Sequence, residues 1–247
     1  MRSAGVQQTA LCAICGETRT FEAPDEYWSH RGRLVSTDCP FGGCIPRHRA
    51  LAKVLFSMYP QDVVRGLAVH ESSPGRTGVS PWLQANCADY VGSGYFPREA
   101  FGTQVGGLRN ENLEDQTFEN EFFDLVLHLD VLEHVFHPFK ALAEIHRTLK
   151  PRGACLFTAP TYHDRTRSEQ VAFLEGDDVR IVGEPEYHGN PQSNNGALVT
   201  WRYGYDFAER ISAETYFDVE VRRWAAPSEA VTGPMTEVYI LTKGMAI

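Results

Sequence analysis

Apolar positions between Phe122 and Pro160 fall into two short runs on either side of a stretch with helical period. Phe123 to Leu129 is a mainly apolar run, short enough for a single buried strand. A polar, histidine-bearing loop follows from Asp130 to Val135. Ala141, Leu142, Ile145 and Leu149 then recur at helical spacing, and Lys150-Pro151-Arg152-Gly153 breaks the pattern. Ala154 to Thr158 forms the second run. The pattern predicts a strand–helix–strand unit with parallel strands and a right-handed crossover. Ligands of such sheets sit at the carboxyl ends of the strands. That places 128–134 and 158–163 side by side on the ligand side.

The rest of the chain extends this α/β pattern. Residues 1 to 10 are expected to be mobile. Pro46 to Tyr59 predicts a helix with Leu51, Val54, Leu55 and Met58 on its apolar face, ended by Pro60. Asp62 to His70 and Cys87 to Ser93 predict the first two strands of the main domain. Residues 161 to 204 form a polar section longer than an ordinary connection, and such segments are functional or disordered. Tyr205 to Ile211 suggests a helix. Phe217 to Val221 and Glu237 to Thr242 suggest a closing pair of strands. The expected division is 1–58 for an N-terminal module with a linking helix and 59–247 for the main domain, with 161–204 an insertion.

Composition narrows the function. The 247 residues are 43% hydrophobic, enough for a sizeable core, and carry a net charge of −9. The acidic balance argues against a general nucleic-acid binder. No apolar run approaches the roughly 18 residues of a membrane span, and the first residues lack the apolar core of a secretory signal. The expectation is a cytoplasmic, soluble protein with no membrane partner.

Cysteine placement adds a candidate metal site. Cys12-x-x-Cys15-Gly16 and Cys39-Pro-Phe-Gly-Gly-Cys44 form two pairs. This spacing suits a tetrahedral zinc held by Cys12, Cys15, Cys39 and Cys44. Four ligands close the coordination sphere, so the zinc would be structural. A redox pair or free thiols are the alternatives. Phe21, Tyr27, Trp28 and Leu34 between the pairs can supply a small core. Cys87 and Cys155, in apolar contexts, are small core residues.

The order FDLVLHLDVLEHV, helix, LKPRGACLFTAP resembles the fourth and fifth strands of class I S-adenosylmethionine-dependent methyltransferases. The resemblance covers roughly residues 62 to 243. It implies a Rossmann-like sheet preceded by the small zinc-binding module. It also implies a cofactor loop at Glu71-Ser72-Ser73-Pro74-Gly75, a Ser-Ser-x-Gly variant in which Ser73 replaces the family's first glycine. Ser93 and Tyr95 stand where the family ends its second strand, here without the usual ribose-binding acid. Asn112 and Leu113 match the segment that frames adenine. His128, Leu129 and Asp130 fall near the methyl-bearing end of the cofactor. An acidic-His pair, here Glu133-His134, is frequent in the family and suggests a site-shaping role for His134.

The function so implied is methyl transfer from S-adenosylmethionine to a small-molecule acceptor, by O- or C-methylation of a natural product or sugar. Tyr162, His163, Asp164, Tyr187 and His188 make 161–204 a candidate lid over that acceptor. Where a proton must be removed, His188, His163 and His128 are the candidate bases. Gly189 would allow a tight bend beside His188. Two other classes remain open: a non-catalytic protein that kept the fold, and a transferase whose zinc module recruits a macromolecule.

Overall fold

A computed structural model describes residues 6–23, 34–36, 38–176, 178–190, 193–223 and 225–245. The chain packs as two compact units. One comprises Met1–Leu67, Gly75–Asp89 and Arg222–Val238, and the other the remainder.

In the first unit, β1 (Val6–Leu11), β2 (Thr18–Ala23) and β3 (Val35–Ser36) form an antiparallel sheet in that order. Residues 6 to 10, expected to be mobile, are therefore paired along β2. Phe21 and Leu34 are fully buried, as expected of a small core. Tyr27 and Trp28 lie outside the described residues. Helix α1 (Pro46–Met58) starts with proline in its first turn and ends before Pro60. It buries Leu51, Val54 and Leu55 together with Arg49. A single turn, α2 (Gln61–Val64), occupies the start of the stretch predicted as a strand. Pro60, with φ fixed near its helical value, begins this turn and leaves Val63 in solvent. Helix α3 (Val79–Asn86) buries Val79, Trp82 and Leu83, and Trp82 meets Phe56 of α1 edge-on at 4.8 Å. Cys87 ends this helix and does not begin a strand, its amide donating to Leu83.

Gly78 enters α3 with φ +83°, and a Cβ there would lie 2.3 Å from Nδ1 of His48. Gly78→Ala therefore combines left-handed strain with a collision. We expect a loss of about 2 kcal/mol or more in urea melts; an unchanged midpoint would refute it.

The second unit is built on a sheet with strands in the order β16-β17-β9-β8-β4-β5-β7-β6. In chain order these are β4 (Ala68–Ser72), β5 (Asp89–Gly94), β6 (Gln104–Val105), β7 (Leu108–Asn110), β8 (Phe123–Leu129) and β9 (Leu149–Thr158). The last two are β16 (Phe217–Arg222) and β17 (Val238–Lys243). β4, β8 and β9 pair in parallel, as do β5 and β7, whereas β17 runs antiparallel to β9. This is the Rossmann-like α/β architecture expected. The first two strands begin later than predicted, at 68 and 89.

Helix α4 (Pro138–Thr148) connects β8 to β9 and buries Ala141, Leu142 and Ile145; α5 (Phe207–Glu214) buries Phe207 and Ile211. Both join one core with Val126, Cys155, Phe157 and Tyr239. The breaker at 150–153 does not separate α4 from its strand. Leu149 already pairs with Phe123, residues 150–153 bulge, and pairing resumes at Leu125 with Ala154. Arg152 takes φ +67° to make that bulge.

Residues 161–204 are not an irregular loop. They contain β10 (Glu169–Gln170) paired with β15 (Trp201–Arg202), and the hairpins β11 (Ala172–Glu175)/β12 (Asp178–Ile181) and β13 (Tyr187–Asn190)/β14 (Ser193–Leu198). The section is strapped to the loop after β8. Thr200 donates from its amide to the Glu133 carbonyl at 2.7 Å and from its hydroxyl to that of Val135 at 2.8 Å. The Tyr203 hydroxyl donates to the Leu132 carbonyl at 2.8 Å, and Trp201 Nε1 to that of Phe136 at 3.2 Å. These bonds satisfy loop carbonyls that burial would otherwise orphan.

Candidate functional site

Three groups of polar residues stand out, each within one unit. In the first unit the Sγ atoms of Cys12, Cys15 and Cys39 lie within 4.8 Å of one another. Cys44 adjoins them through a hydrogen bond with Cys12. Left-handed Gly16 and Gly42 turn the backbone, so that the amides of Ile14 and Cys15 face Cys12 Sγ and that of Phe41 faces Cys39 Sγ. Arg19 Nε lies 3.4 Å from Cys15 Sγ and Arg49 Nη1 lies 3.3 Å from Cys44 Sγ. The packing shifts the thiol pKa values of Cys12, Cys39 and Cys44. Cys12 is raised by its bond to Cys44 and by burial, and burial pushes Cys39 up to about 12. The bond from Cys12 lowers Cys44 to about 7, with Arg49 helping. Donors converging on sulfur suit thiolates, and a divalent ion would suit all four at once.

At the carboxyl ends of β4, β5 and β8 lie most of the expected cofactor residues. Glu71 is fully buried, and its carboxylate accepts the Tyr90 hydroxyl at 2.7 Å. Ser72, also buried, pairs with His128 across the sheet. Ser73 has φ +55°, in the left-handed region that glycine enters freely. Ser73 holds this turn at the expense of strain, and its amide donates to the Ser93 carbonyl at 2.7 Å. Ser93 itself is nearly fully buried, with its hydroxyl 2.8 Å from His70 Nε2, so it offers the cleft backbone and no side chain. Tyr95 is exposed and stacks on Phe101.

Asn112 caps its own turn by accepting the Glu114 amide, and Leu113 is buried in the core. Leu129 ends β8. Asp130 follows it at φ +52° and accepts the Thr158 hydroxyl at 2.9 Å. Gly75 belongs to the first unit, where its amide donates to Ser80 Oγ and a Cβ would meet only ordinary contacts. Two expectations change in role. His128 is fully buried, stacked at 4.6 Å on Phe157, and burial lowers it to about 3. It stays neutral near pH 7 and is a poor base. His163 is exposed and stacked on Tyr205.

The third group was only partly legible. A 3-10 turn at Leu132–His134 buries Glu133 just past β8. His188 reaches it from β13. Glu133 Oε1 is 3.7 Å from His134 Nε2 and 3.6 Å from His188 Nδ1, and neither carboxylate oxygen has a hydrogen-bond partner among the described residues. Burial raises the Glu133 pKa, and the approach of Glu133 raises that of His188. Glu186 backs His188, accepting from Tyr162 Oη, Arg202 Nε and His188 Nε2 at 3.0, 3.1 and 3.2 Å. Gly189 lies within β13 at an ordinary φ, at the register shift between His188 and Asn190. Gly196 on the facing strand carries φ +73°, and a Cβ there would lie 2.8 Å from the His188 carbonyl oxygen. The pairing of Glu186 with Arg202 carries no motif, and only the chain's return over β8 brings the two here.

Residues 73–157 match the family described as methyltransferase domain. An S-adenosylmethionine-dependent methyltransferase structure from Mesorhizobium loti aligns with a TM-score of 0.51 and 16% identity, over 78% of this chain and 98% of that one. A Haloferax volcanii complex between the Trm112 methyltransferase activator and a methyltransferase aligns at 0.50 and 16%, over 81% and 91%. No curated protein matches the chain. No helix among the described residues is long and apolar enough to cross a membrane.

Proposed function

We propose that this S-adenosylmethionine-dependent methyltransferase transfers its methyl group to an oxygen or carbon of a small molecule, a natural product or sugar, bound beneath 161–204. The observation that carries this reading is the polar centre of Glu133, His134 and His188. It lies past the carboxyl end of β8, where ligands of such sheets bind, and it is roofed by a strapped segment. The cofactor would take the ends of β4, β5 and β8. Glu71 and Asp130 offer carboxylates there, and the turns at Asn112 and Leu113 an apolar wall. Methyl transfer is an in-line displacement, and the fold's main contribution is alignment of donor and acceptor. His188 is favoured over His163 and His128 for contact with the acceptor, because it alone of the three joins the centre.

The four cysteines fit a structural zinc. A four-thiolate zinc is doubly negative, and Arg49 and Arg19 donate toward it. The metal would close the small first unit and take no part in the chemistry.

Calorimetry with S-adenosylhomocysteine is the direct test. Binding is expected, and no heat or thermal shift at millimolar ligand would refute the reading. Incubating the enzyme and methyl-labelled cofactor with metabolite extracts should then label a small molecule. His188→Ala should cut that labelling at least tenfold and leave S-adenosylhomocysteine affinity unchanged. Label found in protein or RNA instead would overturn the acceptor class.

A further inference from the structure

The centre of Glu133, His134 and His188 holds more than one acceptor-facing histidine requires. His134 Nδ1 lies 2.8 Å from the Leu198 carbonyl oxygen, which only accepts. Nδ1 therefore carries the proton, and Nε2 turns its lone pair toward Glu133. His188 Nε2 faces the Glu186 carboxylate at 3.2 Å, which leaves Nδ1, 3.6 Å from Glu133 Oε1, as the nitrogen turned into the centre. Two ring nitrogens thus converge, at 3.6 and 3.7 Å, on a carboxylate that is itself 1% exposed and has no hydrogen-bond partner among the described residues. Burying a carboxylate this way is costly unless a positive charge is supplied.

We infer that Glu133, His134 and His188 form a second metal site, for a divalent first-row ion, distinct from the four cysteines. The separations of 3.6 and 3.7 Å are too long for strong hydrogen bonds. They are close to the spacing of about 3 to 3.5 Å that adjacent ligands take around an ion with bonds of about 2.0 to 2.2 Å. Each imidazole is oriented through its other nitrogen, His134 by a backbone carbonyl and His188 by a carboxylate that Tyr162 and Arg202 hold in turn. That outer arrangement is the usual one for metal-bound histidine. Two imidazoles and one carboxylate favour zinc, iron, manganese or cobalt over calcium or magnesium, and leave positions open for an oxygen ligand.

The role of the ion rests on the proposed methyl transfer, although its binding does not. An acceptor hydroxyl on the ion would release its proton to solvent more readily. The oxygen would then form its bond to the methyl carbon as the carbon–sulfur bond breaks. The electron pair stays on sulfur, giving neutral S-adenosylhomocysteine. The preferred acceptor is thus a small molecule that presents an oxygen to the ion.

Cobalt(II) titration of the full metal-stripped chain tests the site without any acceptor. Two equivalents should bind. One gives the strong sulfur-to-cobalt charge-transfer band of the cysteine site; the other gives weaker visible bands only. His188→Ala, on a half-buried hairpin, and Glu133→Gln, which keeps its shape, should each lose the second equivalent and retain the first. Retained S-adenosylhomocysteine binding would show that the variants fold. A wild-type chain that takes only the thiolate equivalent, or a second equivalent unmoved by both substitutions, overturns the inference. Failure of cofactor binding alone would refute the methyl-transfer reading and leave the metal site standing.

Discussion

Arg49→Ala should unfold the first unit or lower its stability by about 3 to 5 kcal/mol. The guanidinium is fully buried at the start of α1. It donates to the carbonyls of Leu34, Cys44 and Ala230, and lies over the Phe21 ring at 4.4 Å. Three stretches distant in sequence are thereby tied to one planar fork. Its contact with Cys44 Sγ makes the thiolates its natural counter-charge. Truncation leaves three carbonyls without a donor and the cysteine site without its nearest cation. Arg49→Lys should fare little better, because an ammonium cannot span the same fork. Thermal melts and the rate of zinc loss to a chelator would measure this. A variant that melts and holds metal like the parent would refute the assignment.

Acidification should cost the fold several kcal/mol between pH 6.5 and 4.5 through two buried histidines. Burial lowers both His70 and His128 to about 3, with Arg109 adding to the effect on His70 and His70 to that on His128. The folded pKa values lie below the unfolded value near 6.5, so the unfolded chain takes up protons that the native state refuses. Stability is full above about pH 6.5 and falls as pH drops toward 3, by about 1.4 kcal/mol per unit for each histidine. Over two units the pair accounts for about 5 kcal/mol. His70 is held by Ser93 and packed at 4.8 Å on Phe118, whereas neither ring nitrogen of His128 has a partner among the described residues. His128→Leu should therefore fold well and remove about half of the slope in urea melts from pH 7 to 4.5. An unchanged slope would show that other groups govern acid stability. Unchanged S-adenosylhomocysteine affinity in the same variant would remove His128 from the cofactor site.

Legibility in the sequence followed locality. Phe123–Leu129, α4 and the return to β9 could be found because burial on both faces leaves a short, mainly apolar run, and α4 shows a clear stripe. The cysteine pairs could be found because their close spacing stands out in the sequence itself. Helix α3 carries a stripe at Val79, Trp82 and Leu83, but too short to stand out beside Pro81 and Gly78. The hairpins of 161–204 have strands of only four to six residues, too short for their pattern to stand out within a polar section. The partnership of Glu186 with Arg202 was invisible for a different reason. Their roles come from contacts made when the chain returns over β8, and no local pattern encodes that return. Gly196 was missed likewise, since its constraint is the carbonyl of His188 on the facing strand.

The section 161–204 leaves and re-enters the unit at nearly one point. Thr161 and Tyr203 form a parallel bridge, and the Tyr162 amide donates to the Tyr203 carbonyl at 2.8 Å. An excursion whose ends touch can lengthen, shorten or be exchanged without moving the strand before it or the helix after it, at little cost in chain entropy. On the proposed acceptor role of 161–204, descendants of this chain could diverge in what they act on by remodelling one cassette, with the sheet left unchanged. Grafting the cassette from a relative, joined at 161 and 203, is the corresponding route to a new acceptor.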